Sequence, residues 1–300
     1  MLERIFIYLG QVLSSILSVL KIGIRSQWFP DKVGVDNRRC ILLGNGPSIK
    51  KVLKEEQDWL KSNDLLCVNK FPDTEYFELL RPRHYMFCSP EYWADNTVDP
   101  NTPLRKQIIR SLIERAQWPI NVFIPNGAKS NPAFIQKIQS NPHIQIVFFN
   151  TTPVEGLASI NHWLLNRRLG SPRPHNVLIP ALLHMINAGY KELYLLGADH
   201  SWIPLVSVNE DNIALVNQQH FYDENTVQKD QKMYHKGIRP RRLHEILEKF
   251  MLAFKSYFDL KAYAKSKQVE IYNCTPGSFI DAFPRKDLKT LIHQSDISEL

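Results

Sequence analysis

The sequence predicts an α/β fold, a Rossmann-like and mostly parallel sheet with helices on both faces and a lid insertion. Three observations lead there. Seven apolar runs of strand length recur along the chain, stretches with helical spacing separate them, and one polar segment without periodicity interrupts the alternation late in the sequence. Strand and helix in alternation let each strand return parallel to the last through a helix laid on a sheet face. Ligands in such sheets sit at the carboxyl ends of the strands, so the residues just after each run are the ones to inspect.

Residues 1–30 form the first unit. From Ile5 to Leu20 no residue is charged, and Arg4, Lys21 and Arg25 flank the run. A spanning helix usually needs about 20 apolar residues, whereas this stretch of 16 includes Gln11, Ser14, Ser15 and Ser18. At about 100° per residue these polar side chains and the three cations share one narrow stripe, and Ile5, Phe6, Leu9, Val12, Leu13, Ile16, Leu17 and Leu20 fill the rest. Such a helix suits an interfacial anchor lying in the membrane plane, or a helix packed on its own domain or on a second subunit. Met-Leu-Glu-Arg carries no net positive charge and no small-x-small site follows, which argues against a secretory signal.

Past Pro30 the strand-length runs are Cys40 to Leu43, Leu65 to Val68, Tyr85 to Cys88, Val122 to Ile124, Ile144 to Phe149, Leu193 to Leu196 and Val269 to Tyr272. Pro47 to Leu60, Pro103 to Ala116, Val177 to Ala188 and Arg241 to Lys267 carry helical spacing. Trp202 to Pro240 lacks periodicity and reads as a lid crossing the strand ends, at about residues 202–240. The main unit is residues 38–285, followed by a tail at 286–300. Lys229 to Lys249 holds seven cations against three carboxylates, which reads as a solvated basic face or as a patch for an anionic acceptor or lipid phosphates.

The composition narrows the partners. Of 300 residues 22% are charged and 44% hydrophobic, which excludes a disordered tail, a collagen-like repeat and a polytopic membrane protein. The net charge of +7 is too thin a field for nucleic acid and suits an anionic membrane surface or acidic substrates. Cys40, Cys67, Cys88 and Cys274 lie far apart in apolar runs, so they read as reduced, buried thiols of a cytoplasmic protein and not as metal ligands.

The strongest local signal follows the first run: Gly44-Asn45-Gly46-Pro47-Ser48, then a helical stretch. Two glycines allow a tight turn and close approach of a ligand, Pro47 suits the first helical turn, and the free amides there can receive a phosphate. Neither the third glycine of a dinucleotide fingerprint nor the Gly-Lys-Ser/Thr ending of a Walker loop is present. The second run ends in Asn69 and the third in Ser89, so three successive strands deliver a small polar group to one rim, as metal-free nucleotide recognition needs. Gly189 to His200 reads as helix end, strand and a turn carrying Asp199, an acid that either orients a base or caps a loop.

GNGPS at 44–48, the Asn69 strand end, GYKELYLLGAD at 189–199 and IYNCTPGS at 271–278 together resemble the bacterial sialyltransferases of glycosyltransferase family 42. They resemble also the related domain of flagellin-glycosylating motility accessory factors and of the archaeal 6-hydroxymethylpterin diphosphokinase. The resemblance implies a Rossmann-like nucleotide domain with a small lid, metal-independent transfer of a sugar from a CMP-activated donor, and membrane association. It implies that Asn45 and Asn69 bind the nucleotide and that a lid histidine is the general base. The sequence departs from that pattern at Ser89, where asparagine is expected, at Ser201, where tyrosine is expected, and at His175-Asn176-Val177, where Thr-Ser-Gly is expected.

A base for an acceptor hydroxyl should titrate near neutrality, which suits histidine. His84, His143, His162 and His184 sit beside or within regular elements and read as structural. His235 is the closer match by distance from Asp199, His220 has aromatic and acidic neighbours that would shape a pocket, and His244 is third. Three functions follow. The first is a glycosyltransferase moving a sugar from a nucleotide donor, CMP-linked, to a surface glycan or glycolipid at the inner face of the membrane, without metal or other cofactor. The second is a diphosphokinase-like phosphotransferase using ATP and Mg²⁺. The third is a nucleotide-binding protein without catalysis.

Overall fold

The computed structural model describes residues 2–29, 33–35, 37–94, 102–217, 220–222, 231–235 and 239–298. Its strands are β1 (Arg39–Leu43), β2 (Asp64–Val68), β3 (His84–Met86), β4 (Ile120–Pro125), β5 (Ile144–Phe149), β6 (Glu192–Leu196), β7 (Val206–Val208), β8 (Ala214–Val216), β9 (Tyr234–His235), β10 (Arg239–Pro240) and β11 (Glu270–Asn273). Seven of them form one sheet in the order β11-β6-β1-β2-β3-β4-β5, every neighbouring pair parallel. These seven are the seven apolar runs. The chain steps outward from β1 to β5, then crosses back to lay β6 on the other side of β1, so the winding reverses between β1 and β6.

The helices are α1 (Leu2–Arg25), α2 (Ile49–Glu55), α3 (Gln57–Lys61), α4 (Tyr76–Leu80), α5 (Thr102–Arg115), α6 (Pro132–Gln139), α7 (Ala158–Asn166), α8 (Leu178–Ala188), α9 (Leu243–Ser266) and α10 (Leu288–Ser298). Side chains alternate along each strand, so both faces of a parallel sheet must be covered. Cys40, Leu42, Leu66 and Val68 join a core with α7, α8 and α9, whereas Ile41, Leu43, Leu65 and Cys67 join a second core with α2, α3, α4 and α5. The single helix expected over Pro47 to Leu60 is two, because Glu56 leaves helical geometry at φ −120°, ψ 34°. α8 stops at Gly189, whose φ of +111° a side chain disfavours.

The three buried cysteines and the partly exposed Cys88 are free thiols. Burial pushes all four thiols upward, Cys88 and Cys274 to about 12, so they stay protonated.

α1 reverses the usual sense of an amphipathic helix. Its polar stripe faces the body: Ser15, Ser18 and Ile22 are buried. Ser18 Oγ pairs with the carbonyl and the amide of Glu155, each at 2.9 Å, and Leu157 N donates to Ser15 Oγ at 2.8 Å. Gly156 makes the contact by having no side chain, since a Cβ there would stand 2.5 Å from Ser15 N. The apolar face is turned outward.

The segment after β6 is an insertion of short pieces. β7 pairs with β8, β9 with β10, and Ala214, Val216, Ile246 and Phe250 form a small core of their own. It crosses the strand ends, with Phe221 N donating to Asn45 O at 3.0 Å and the Phe221 ring packed against Phe71 and Tyr76. Lys229, Asp230 and Lys236 of the basic run, and Asp223 beside His220, lie outside the described residues.

Candidate functional site

The reversal between β1 and β6 is where a doubly wound sheet opens a crevice at its carboxyl edge. There the turns after β1 and β6 cross at van der Waals range, with Gly44 N donating to Leu196 O and Gly46 N to Gly197 O at 2.8 and 2.9 Å. A Cβ on Gly44 would meet Gly197 O at 2.3 Å, and one on Gly46 would meet the Asp199 carboxylate at 1.9 Å. The two glycines expected to admit a ligand therefore first admit another piece of backbone.

A cleft of about 160 Å³ opens over this crossing, lined by Gly44, Asn45, Gly46, Asn69, Asp199 and His220 among the expected residues. That is below the roughly 300–1,000 Å³ of enclosed small-molecule pockets, so a nucleotide would fill it in part and extend through the mouth. Asn45 is buried, its Nδ2 donating to Val68 O at 3.1 Å while its Oδ1 has no partner. The hydrogen bond fixes which end of the amide is which. What Asn45 offers is an acceptor, which suits a ribose hydroxyl or a base N–H and not a phosphate. Asn69 turns at φ +51°, a conformation asparagine tolerates, and its carbonyl takes the Tyr85 hydroxyl at 2.8 Å.

Asp199 caps the turn. Ser48 N donates to its Oδ1 at 3.1 Å and Ser48 Oγ to its Oδ2 at 2.8 Å. Burial raises its carboxyl above the usual range, and the two Ser48 bonds pull it back in part. Of the two roles open to this acid, the Ser48 bonds are those of a loop cap. The 271–278 motif is the clamp beneath it: Thr275 Oγ1 accepts from Ala198 N at 3.0 Å, and Ser278 Oγ donates to Ala198 O at 2.6 Å.

Pro47 sits exposed on the turn, and Ser89 lies off the cleft with its hydroxyl donating to the Glu91 carboxylate. His235 also lies off it, in the β9–β10 ribbon, its Nδ1 3.2 Å from Arg241 Nη1 and 3.9 Å from Glu245. His220 lines the cleft, stacked on Tyr222 at 5.0 Å between centroids.

Four residues that the sequence reading did not assign also line it: His175, His200, Trp202 and Lys249. His175 is held neutral, down to about 4, by burial and by Lys249, Arg173 and Arg241, and its Nε2 has no partner. Burial takes His200 to about 3, its Nε2 2.8 Å from the Tyr257 hydroxyl. Lys249 is partly buried, lowered first by desolvation and then by Arg241, and no carboxylate among the described residues lies within 4.0 Å of it. Its signal was available in the sequence, because it stands three residues after Ile246 and four before Ala253, on the inward stripe of α9.

Among the described residues no three His, Cys, Asp or Glu side chains gather as metal ligands. Among the described residues Asp199 is the carboxylate that lines the cleft, and each of its oxygens accepts a hydrogen bond from Ser48.

No family model matches the chain, and no curated protein does. Among solved structures the chain is similar to the MAf glycosyltransferase from Magnetospirillum magneticum AMB-1, at 10% identity and a TM-score of 0.45 over 92% of this chain. The match spans 38% of that protein.

Proposed function

We propose that this chain is a glycosyltransferase that moves a sugar from a nucleotide-activated donor, CMP-linked in the first instance, to a hydroxyl of a surface glycan or glycolipid. The observation that supports it most is the cleft at the sheet's reversal, which sets a buried acceptor, Asn45 Oδ1, and a partly buried cation, Lys249, around one space. The first suits a nucleoside and the second an anionic phosphate. In this reading the acceptor oxygen attacks the sugar's anomeric carbon, the bond to the phosphate oxygen breaks, and the pair of electrons leaves with the nucleotide. Lys249 offsets the charge that develops on that phosphate, since the Gly44, Gly46 and Ser48 amides are already bonded within the two turns.

The proton of the attacking hydroxyl passes to a histidine. His175 and His200, held near 4 and 3, are weak bases at neutral pH. That leaves His220 as the cleft-lining candidate and His235 as the alternative, which a closing insertion would have to bring in.

Binding of CMP, CDP, UDP, GDP and ATP, each with and without Mg²⁺, tests the reading. Metal-free CMP binding that weakens in Asn45→Ala is expected. ATP binding that requires Mg²⁺, with none for CMP, would overturn it. His220→Ala is expected to retain nucleotide binding and lose transfer, whereas full transfer by both His220→Ala and His235→Ala would remove the insertion from the chemistry.

A further inference from the structure

The outward face of α1 is the largest feature of the molecule that the cleft does not explain. Leu2, Ile5, Phe6, Tyr8, Leu9, Leu13, Ile16, Leu17, Val19, Leu20 and Ile24 are each between 45% and 84% exposed. At about 100° per residue these positions spread over an arc of roughly 180°, with Ile7, 55% exposed, outside it in the turns that stand clear of the body, whereas the buried Ser15, Ser18 and Ile22 fall within one of about 60°. Monomeric soluble proteins rarely leave so continuous an apolar surface uncovered.

The helix itself favours one cover. A second helix would fill a seam narrower than this arc, as in a coiled coil. The first nine residues, 2–10, are exposed on every side, so that end of the helix stands clear of the body altogether. Arg4, Lys21 and Arg25 sit on the body side of the arc, at the height where a bilayer under the apolar face would hold its headgroups. Trp28, 71% exposed, follows the helix, and Trp163, 53% exposed, lies on α7 with the Arg167 guanidinium 4.4 Å from its ring centre. Indole rings beside cations are the usual furniture of a membrane interface.

The docking also decides the orientation. With 24 residues α1 is long enough to cross a bilayer by length and composition. A crossing helix would drag into hydrocarbon the loop that holds it, including Glu155 and its bidentate partner Arg173 at 2.8 Å. The geometry points to α1 lying in the plane of an anionic bilayer, its apolar half sunk below the headgroups and its serine stripe fastening the body on the water side. This stands apart from the glycosyltransferase reading and needs no donor or acceptor.

The test uses the full chain with vesicles of phosphatidylcholine alone and of phosphatidylcholine with anionic phosphatidylglycerol. Sedimentation with the anionic vesicles is expected, at least about tenfold stronger than with neutral ones, since each interfacial cation contributes about fivefold. Leu13→Glu/Leu20→Glu changes only outward positions, so it is expected to melt as wild type does and to lose vesicle binding by at least about tenfold. Alkaline carbonate is expected to release the wild type. Wild type that stays in the supernatant, a double variant that still binds, or wild type that resists carbonate would each overturn the inference. So would a wild-type oligomer in solution that the double variant dissolves to monomers, which would give the face to a second copy.

Discussion

Lowering the pH from 7 to 5 should destabilise this protein sharply, through three histidines rather than through its carboxylates. His84, His184 and His200 are buried and each is lowered to about 3, burial being the first cause. Each is built to be neutral. His84 Nε2 lies 2.8 Å from the Tyr190 oxygen, whose hydroxyl donates to Asp64, while its Nδ1 faces Asn121 Nδ2 at 3.2 Å. The unfolded chain takes a proton on each at about pH 6.5 and the native state does not. A depressed base of this kind contributes stability above the unfolded value, and that stability drains as pH falls toward the folded one. Between pH 7 and pH 5 the loss is about 2 kcal/mol per histidine, on the order of 6 kcal/mol for these three, and the half-buried His175, held at about 4, adds a smaller share. That is a large share of the roughly 5–15 kcal/mol a domain commands. Urea melts at pH 7, 6 and 5 should show the midpoint falling steadily, and His184→Leu, whose ring packs on Phe123 and Phe149, should lose about 2 kcal/mol less over the same interval. A midpoint that stays level to pH 5 and falls only where carboxylates titrate would refute the assignment.

Three further outcomes follow from the cleft. Gly44→Ala sets a Cβ 2.3 Å from Gly197 O, so a cost of about 3 kcal/mol is expected in chemical denaturation, and a wild-type curve would show that the two turns do not pack as described. Lys249→Met should weaken binding of inorganic pyrophosphate or CMP by about 10- to 100-fold while leaving the melting temperature unchanged or higher, since it removes a charged hydrogen-bond donor and a desolvated cation together; a destabilised variant with normal binding would make the lysine structural. Asp199→Ala leaves Ser48 N unpaired and should cost about 1–3 kcal/mol. Because burial raises the Asp199 carboxyl, its favourable contribution fades as pH rises through its folded value, so Asp199→Asn should cost less at pH 7 than at pH 3.5, and the reverse order would show that the Ser48 bonds outweigh burial there.

The sheet was legible because a strand buried on both faces must be apolar at every position, and Cys40 to Leu43 or Leu193 to Leu196 cannot disguise that. Short helices escaped for the opposite reason. α4 has five residues, too few for a period to show, and α6 announced itself through its cap, Asn131 Oδ1 accepting from Phe134 N, rather than through its apolar pattern. At α1 the two faces were readable and the choice between them was not. Which face meets the body depends on Gly156 and the amides of Glu155 and Leu157, over 130 residues away along the chain. The cleft divided in the same way. Gly44, Asn45 and Asp199 lie in motifs close to a turn, whereas Lys249 reaches the same space from a distant helix, told from the surface cations of its run only by its place on the inward stripe of α9.

The crossing of the Gly44 and Gly197 turns has a consequence for how this scaffold can diversify. Its floor is made of main chain packed on main chain, and positions 44, 46 and 197 have no volume in which a side chain could vary. Selectivity for one ligand over another therefore has to be written on the walls and roof, by α9, the 175–177 turn and the insertion that carries His220 and Met233. Exchanging the insertion should then alter what the cleft accepts, and among the described residues the roof meets the floor at the Phe221 to Asn45 hydrogen bond and at the Phe221 ring against Phe71 and Tyr76. In this protein rigidity and adaptability are allotted to different stretches of sequence.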